Sequence, residues 1–283
     1  MASTPIISRD AATAAGADRP YSDIAVPVDF SSLGWQVLPL AERLGEAFDA
    51  PLHLLHVDTS SPWSDGDPEH LRLRATPYRR PVSVEVVPDP DVALGVARSL
   101  TGLRSLVVMG THARTGAAEM VLDSSTEALL RALDGAVVLT GPHFADDRKP
   151  LRRIVCCLDL GPTPWPLLHD VTDWARHLEV RIELLTVLRT GSGLDAEERR
   201  EFEHRLDVTA DMLKAAGYEV STVILHGNRP GHCIVDYVNE QPGTVTALVT
   251  HARTAATRAF VGSVGMKVVR HAHGPVLVRR REG

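Results

Sequence analysis

The residues that most resemble a ligand site stand at the start of a predicted helix near the end of the chain. Gly262-Ser263 opens this helix with no acidic residue beside it, so the unpaired N–H groups of its first turn are available to an anion. Residues 251–283 hold seven Lys or Arg and one Glu, which adds a positive field. This combination is typical of phosphate binding.

A second helix entrance, in the first half of the chain, reads Asp123-Ser124-Ser125-Thr126-Glu127. Ser124 and Glu127 have the spacing of a capping box, in which a helix satisfies its own first donors. Asp123 and Glu127 would also repel a polyphosphate. The sequence therefore predicts that this entrance has closed its own anion site.

Other chemistry is less well supported by the residues. The chain has 13 His, but His271 and His273 are two positions apart and would point to different faces of a helix, so we expect no metal site. The stretch Gly262-Ser263-Val264-Gly265 lacks the spacing of a hydrolase nucleophile elbow. Arg279-Arg280-Arg281 is interpreted as a solvated strand end, with contact to an anionic partner as the alternative.

An internal repeat divides the chain in two. The pentapeptide THART at 111–115 returns at 250–254, an offset of 139, whereas the segment 24–29 matches 154–159 at an offset of 130. The second copy has therefore gained nine residues between its second and third strands. A repeat of this length predicts two domains of the same fold.

In each half, short β-branched runs alternate with stretches of helical period, which is typical of a parallel sheet covered by helices. The predicted class is α/β, with two tandem doubly wound five-stranded parallel-sheet domains. The predicted strands are 23–28, 52–57, 82–87, 105–109 and 136–140 in the first half, and 152–158, 181–187, 218–225, 245–249 and 275–279 in the second.

The helices are predicted at 33–48, 91–101 and 124–133 in the first half. Pro39 should kink or shift the first of them. The nine extra residues of the second half complete a regular helix at 194–216. The equivalent segment 59–81 is expected to be a loop with at most a short helix at 68–74.

Length and composition are those of an ordinary globular protein. With 283 residues, 44% hydrophobic residues and a net charge of −6, the chain suggests two domains and no nucleic-acid partner. No apolar run approaches the ~20 residues of a membrane span. We expect a disordered leader at 1–20, domains at 21–141 and 151–283, a linker at 142–150, and a cytoplasmic location.

The repeated unit resembles the universal stress protein family. The resemblance implies a Rossmann-like fold of the adenine nucleotide alpha hydrolase type. It also implies a nucleotide loop of the form Gly, two residues, Gly, nine residues, Gly, then Ser or Thr, after the fourth strand. An Asp ends the first strand in ATP-binding members. Neither copy of the loop is intact here. In the first half the corresponding positions are Gly110, Ala113, Asp123, Ser124 and Ser125, and the Asp at the end of the first strand is Asp29. In the second half they are Val249, Ala252, Gly262, Ser263 and Val264, and the Asp is Asp159.

The resemblance implies a stress-response binding or regulatory module, and we expect it not to be an enzyme. Its two domains would pack as an intramolecular pseudo-dimer through their fifth strands. An ATP or AMP sensor that uses mainly the second domain is the alternative. A slow ATP hydrolase and a purely structural interaction protein stay open, as do a homodimer and an unidentified protein partner. Asp29 and Asp159 could also cap the helix that follows, a role compatible with a contact to a ribose or adenine.

Overall fold

A computed structural model describes residues 19–29, 32–59, 71, 82–111, 124–133, 135–144, 150–159, 161, 164–189, 196–250 and 262–280. The chain divides into two compact units, Met1–Pro142 and His143–Gly283. Most of the predicted leader and residues 145–149 of the predicted linker lie outside the described residues.

The first unit has five parallel strands in the order β3-β2-β1-β4-β5. The strands are β1 Ile24–Pro27, β2 Leu52–Asp58, β3 Val82–Pro88, β4 Leu106–Gly110 and β5 Val137–Thr140. Its helices are α1 Ser32–Gln36, α2 Leu38–Ala47, α3 Val92–Ser99 and α4 Ser124–Ala132.

The second unit repeats this topology, with five parallel strands in the order β8-β7-β6-β9-β10. The strands are β6 Arg153–Cys157, β7 Arg181–Leu188, β8 Val220–His226, β9 Thr244–Thr250 and β10 Val276–Arg280. The helices are α5 Trp165–Leu178, α6 Ala196–Ala215, α7 Pro230–Asn239 and α8 Ser263–His271. The predicted fold class is confirmed.

Two helices have the features that the sequence predicts for them. The first helix of the chain is interrupted at Val37, and Pro39 lies in the first turn of α2, where its missing N–H has no intrahelical partner to lose. The long helix α6 buries Phe202 and Leu206 and exposes residues 197–200. Both the shifted helix start and the amphipathic helix are therefore present.

The segment 59–81, where the sequence predicts a loop with a short helix, is described at two residues. Thr59 directly follows β2, and Leu71 is helical and buried. A helical residue at 71 agrees with the expected short helix at 68–74. The rest of the segment lies outside the described residues.

The basic strand end is not the solvated tail that the sequence suggests. Arg279 lies within β10, and its side chain is only 20% exposed. Its Nη1 lies 3.3 Å from Oδ2 of Asp170 on α5, so a carboxylate of the same unit neutralises it. The solvated interpretation is therefore wrong for Arg279, while Arg281 lies outside the described residues.

A matched pair of glycines gives a test of the packing in the two units. A Cβ on Gly274 would lie 2.3 Å from the backbone oxygen of Thr244, whereas a Cβ on Gly135, the equivalent position, would lie 3.9 Å from that of Ser105. We expect Gly274→Ala to lower the free energy of unfolding by about 1–3 kcal/mol because the backbone must shift. Gly135→Ala should be neutral or stabilise by about 0.4–1 kcal/mol. Urea unfolding of both variants measures this, and equal effects would contradict it.

Candidate functional site

The strand order creates one switch point in each unit, where the chain reverses the direction in which it adds strands. In the second unit this point lies between β6 and β9, and the register runs from Arg153 opposite Thr244 to Cys156 opposite Ala247. The same offset brings Asp159 level with Thr250. In the first unit, Ile24 opposite Leu106 likewise brings Asp29 level with Thr111. Open α/β sheets bind ligands at this position, beyond the carboxyl ends of the strands.

The first residue of each THART pentapeptide is part of the sheet. Thr111 is buried, and its backbone N and its Oγ1 donate to the carbonyl oxygen of Thr140 at 2.8 and 3.2 Å. Thr250 is in register with Arg280. The pentapeptide threonine therefore extends a strand in both units. The rest of both loops, including Ala113 and Ala252, lies outside the described residues.

Asp159 holds the loop that leaves β6. Its side chain is exposed, and its Oδ1 accepts a hydrogen bond from the N–H of Gly161 at 2.9 Å. The helix that follows begins at Trp165 with Pro164 as its N-cap. The prediction that Asp159 caps this helix is therefore wrong, because the helix begins too late in the chain and the carboxylate closes a turn instead. Asp29 is also exposed, two residues after the end of β1.

The start of α8 offers backbone donors. Gly262 is the N-cap, without a side-chain cap, and the first turn contains no acidic residue. The first intrahelical bond runs from the N–H of Met266 to the carbonyl of Gly262 at 2.9 Å, so the N–H groups before it have no partner within the helix. Ser263 is exposed and Val264 is 37% exposed. An anion at this end would meet donors and the positive end of the helix dipole.

The start of α4 is different. The helix begins at Ser124, as predicted, and Asp123 lies outside the described residues. Glu127 is buried, and its Oε1 has no hydrogen-bond partner among the described residues. The predicted capping box of Ser124 with Glu127 stays a prediction. Glu127 places an acidic group in the first turn of α4, which also contains Ser125.

The positions that begin the two loop motifs lie within strands. Gly110 ends β4 opposite Thr140, and Val249 lies in β9 opposite Arg279. A valine side chain thus stands where the first unit keeps a glycine. The glycine leaves the backbone at this strand end less crowded by side chains in the first unit than the valine does in the second.

The helix α8 carries basic residues and packs closely against α7. A Cβ on Gly231 of α7 would lie 2.9 Å from Cβ of Lys267 on α8, so the helices touch at this glycine. Lys267 lies about one turn into α8, and Arg270 lies in its last turn. The helix therefore carries positive side chains along its length.

The adjacent cysteines of β6 are unsuited to nucleophilic chemistry. Burial raises the pKa of Cys156 well above its usual range, with a further contribution from Cys157. Burial also raises the pKa of Cys157 to about 12. Both thiols therefore stay protonated at neutral pH, whereas the thiolate is the reactive form.

Sequence reasoning missed a buried charged cluster at the amino-terminal ends of the strands in the second unit. Glu183 Oε1 accepts from Arg153 Nη1 at 2.8 Å and lies 3.4 Å from Arg181 Nε, while its Oε2 accepts from the Tyr237 hydroxyl at 2.9 Å. Arg153 also donates to the side chain of Gln241. We call these five residues the Glu183 cluster. Burial and the contact with Glu183 raise the pKa of Tyr237.

No helix in the described part of the chain is both long and apolar enough to cross a membrane.

Comparison with known proteins places this geometry in a family. Residues 150–280 match the model of the universal stress protein family. A universal stress protein from Archaeoglobus fulgidus DSM 4304 has a similar structure, with 17% identity, a TM-score of 0.67, and coverage of 92% of this chain and 98% of that one. No curated protein matches the chain.

Two further solved structures share the fold. A functionally unknown protein from Pseudomonas aeruginosa PAO1 is 18% identical, with a TM-score of 0.64 and coverage of 92% of this chain and 93% of that one. The cytoplasmic domain of a prokaryotic cation chloride cotransporter is 12% identical, with a TM-score of 0.55 and coverage of 90% and 94%. At these identities the likeness concerns the fold alone.

Proposed function

Because the chain belongs to the universal stress protein family, we propose that it is a non-catalytic binding and regulatory module of the stress response. The observation that carries the proposal is the two-unit fold with a ligand-binding edge at each switch point. Val249 and Ala252 replace the glycines that let a backbone approach a polyphosphate, so the regulatory proposal does not depend on nucleotide binding.

A second candidate function is that of an ATP or AMP sensor that uses mainly the second unit. The open start of α8 favours it, since Gly262 leaves the first-turn donors without a side-chain cap. The first unit instead carries the buried Glu127 in the equivalent turn. A nucleotide would lie between the first turn of α8 and Asp159, with its phosphates toward α8.

The remaining parts of the proposal concern location and partners. The cytoplasm is the proposed compartment, supported by the free thiols of Cys156, Cys157 and Cys233. An unidentified protein partner, pairing of the two domains as a pseudo-dimer, and a homodimer stay predictions. We propose no nucleic-acid partner, because the net charge is −6.

Calorimetric titration of the full chain with ATP and with AMP, in the presence of magnesium, tests the sensor. We expect saturable heat for at least one nucleotide and no phosphate release above the rate of a buffer blank. Turnover of ATP that saturates with substrate would contradict the non-catalytic proposal. Absence of any binding heat would leave the regulatory module without a nucleotide and overturn the sensor.

A further inference from the structure

Two imidazole rings stack on each other in the second unit. The ring centroid of His271, the last residue of α8, lies 5.6 Å from that of His143, and the two ring planes are 18° apart. His143 is the first residue of the second unit, and its side chain is exposed, whereas that of His271 is half-buried. The stack therefore holds the point at which the chain enters the second unit against the end of α8.

The helix end that carries His271 is fixed by hydrogen bonds to α7. Asn239 Nδ2 donates to the carbonyl oxygen of His271 at 3.0 Å, and Asn239 Oδ1 accepts from the N–H of His273 at 2.8 Å. His143 instead lies in a turn, outside the helices and strands. One ring of the stack is thus presented from a braced helix end, and the other is attached to a turn.

Positive groups surround His271. Burial makes the largest contribution to lowering its pKa, and four basic side chains lower the pKa further by charge repulsion: Lys267, His143, Arg270 and His232. The carboxylates of α7 and of its C-cap, Asp236 and Glu240, are exposed. The strand β9, which α8 also contacts, has no ionisable side chain. The ring of His271 is therefore neutral in the stack at neutral pH.

The energy of the stack depends on the charge of its rings. A neutral imidazole offers an aromatic face, and a single imidazolium can lie over such a face. When both rings carry a proton, two like charges face each other and the contact becomes repulsive. Since the folded pKa of His271 lies below the unfolded value of about 6.5, the stability contributed by its neutral form is present above that value and is lost as the pH falls.

We propose that His143 and His271 form a proton-sensitive latch, closed at neutral pH, that releases the turn at His143 from α8 when the medium becomes acid. Histidine suits this role because its charge changes between about pH 5 and 8. The first unit has no such ring at the equivalent helix end: at the offset of 139, Ala132 stands in place of His271. The latch does not rest on nucleotide binding, and it adds a response to pH to the proposed function.

The test is heteronuclear NMR of the full-length protein with labelled histidine, titrated from about pH 7.5 to about pH 5. The Cε1–H signals report the protonation of each ring, and a nuclear Overhauser cross-peak between His143 and His271 reports the stack. We expect the titration midpoint of His271 to lie below about 6.5 and the cross-peak to disappear at the acid end. An opening that takes up one proton shifts by up to about tenfold per pH unit.

Two variants separate the latch from a contact that is only structural. His271→Phe keeps an aromatic face that takes no proton, so the cross-peak from His143 to the substituted ring, with phenylalanine also labelled, should persist at the acid end. His143→Phe should keep the rings together in acid for the same reason, and it changes the exposed partner, which does not bear on folding of α8. His273→Gln, two residues beyond the stack, is the matched control and should behave as the wild type.

Several results would overturn the latch. One is a wild-type cross-peak that is absent at neutral pH or that persists at the acid end. Another is loss of the cross-peak in acid in His143→Phe, since the stack would then open for a reason other than charge on its two rings. Circular dichroism across the titration follows the whole fold, and complete unfolding of the wild type at the acid end would also contradict a local release.

Discussion

Replacing Gly262 with Asp is expected to lower ATP affinity by at least about tenfold while leaving the fold slightly more stable. Gly262 is the N-cap of α8, with φ −53° and ψ 164°, a conformation that Asp adopts readily as an N-cap. An Asp there would accept from the first-turn donors, a gain of a few tenths of a kcal/mol over Gly. It would also put a negative charge where the phosphates bind.

The control for this prediction is Gly262→Asn, which caps the helix without adding charge. If capping alone closes the site, both variants lose ATP binding to the same extent; if charge dominates, the Asp variant loses more. The reciprocal change, Asp123→Gly, removes an acidic residue from the first unit and should not reduce binding. Unchanged affinity in Gly262→Asp, or a nucleotide located beside Gly110, would show that the second site was wrongly chosen.

Replacing Glu183 with Gln is expected to be the most destabilising of the substitutions considered, by about 3–5 kcal/mol. Glu183 is 4% exposed, and it is the carboxylate that faces Arg153 and Arg181 in the Glu183 cluster. Its loss leaves the largely buried guanidinium of Arg153 without that counter-charge. The midpoint of thermal unfolding should fall by about 10 °C or more for a unit of this size.

A surface pair is the matched control. Lys214 and Asp211 on α6 lie 3.3 Å apart with both side chains exposed, so Asp211→Asn should change the free energy of unfolding by less than about 0.5 kcal/mol. The double variant of Glu183→Leu with Arg153→Leu should be more stable than Glu183→Gln, because no buried charge is left uncompensated. A Glu183→Gln protein as stable as Asp211→Asn would contradict the cluster's role.

The strands can be predicted from sequence because their apolar runs are buried on both faces, as in the consecutive residues Leu106, Val107 and Val108 of β4. The long helix α6 is equally clear from its amphipathic period. The start of α4 at Ser124 is also as predicted, because the polar run at this point marks a helix entrance.

The Glu183 cluster could not be predicted in the same way. Arg153, Arg181 and Glu183 stand at the starts of strands, where charged residues usually face water. Only the register, which puts Arg153 opposite Arg181, brings them together with Tyr237 of α7.

The Glu183 cluster also bears on how a chain with two similar halves avoids misassembly. At the equivalent positions, the first unit has Asp23 in place of Arg153 and His53 in place of Glu183, and both are buried. A folding intermediate that exchanged β1 for β6 would bring Asp23 to Glu183. Two carboxylates would then meet in one buried site, at a cost that the native pairing of Glu183 with Arg153 does not have. The reversed polarity thus selects against strand exchange between repeats, a characteristic failure of repeated domains.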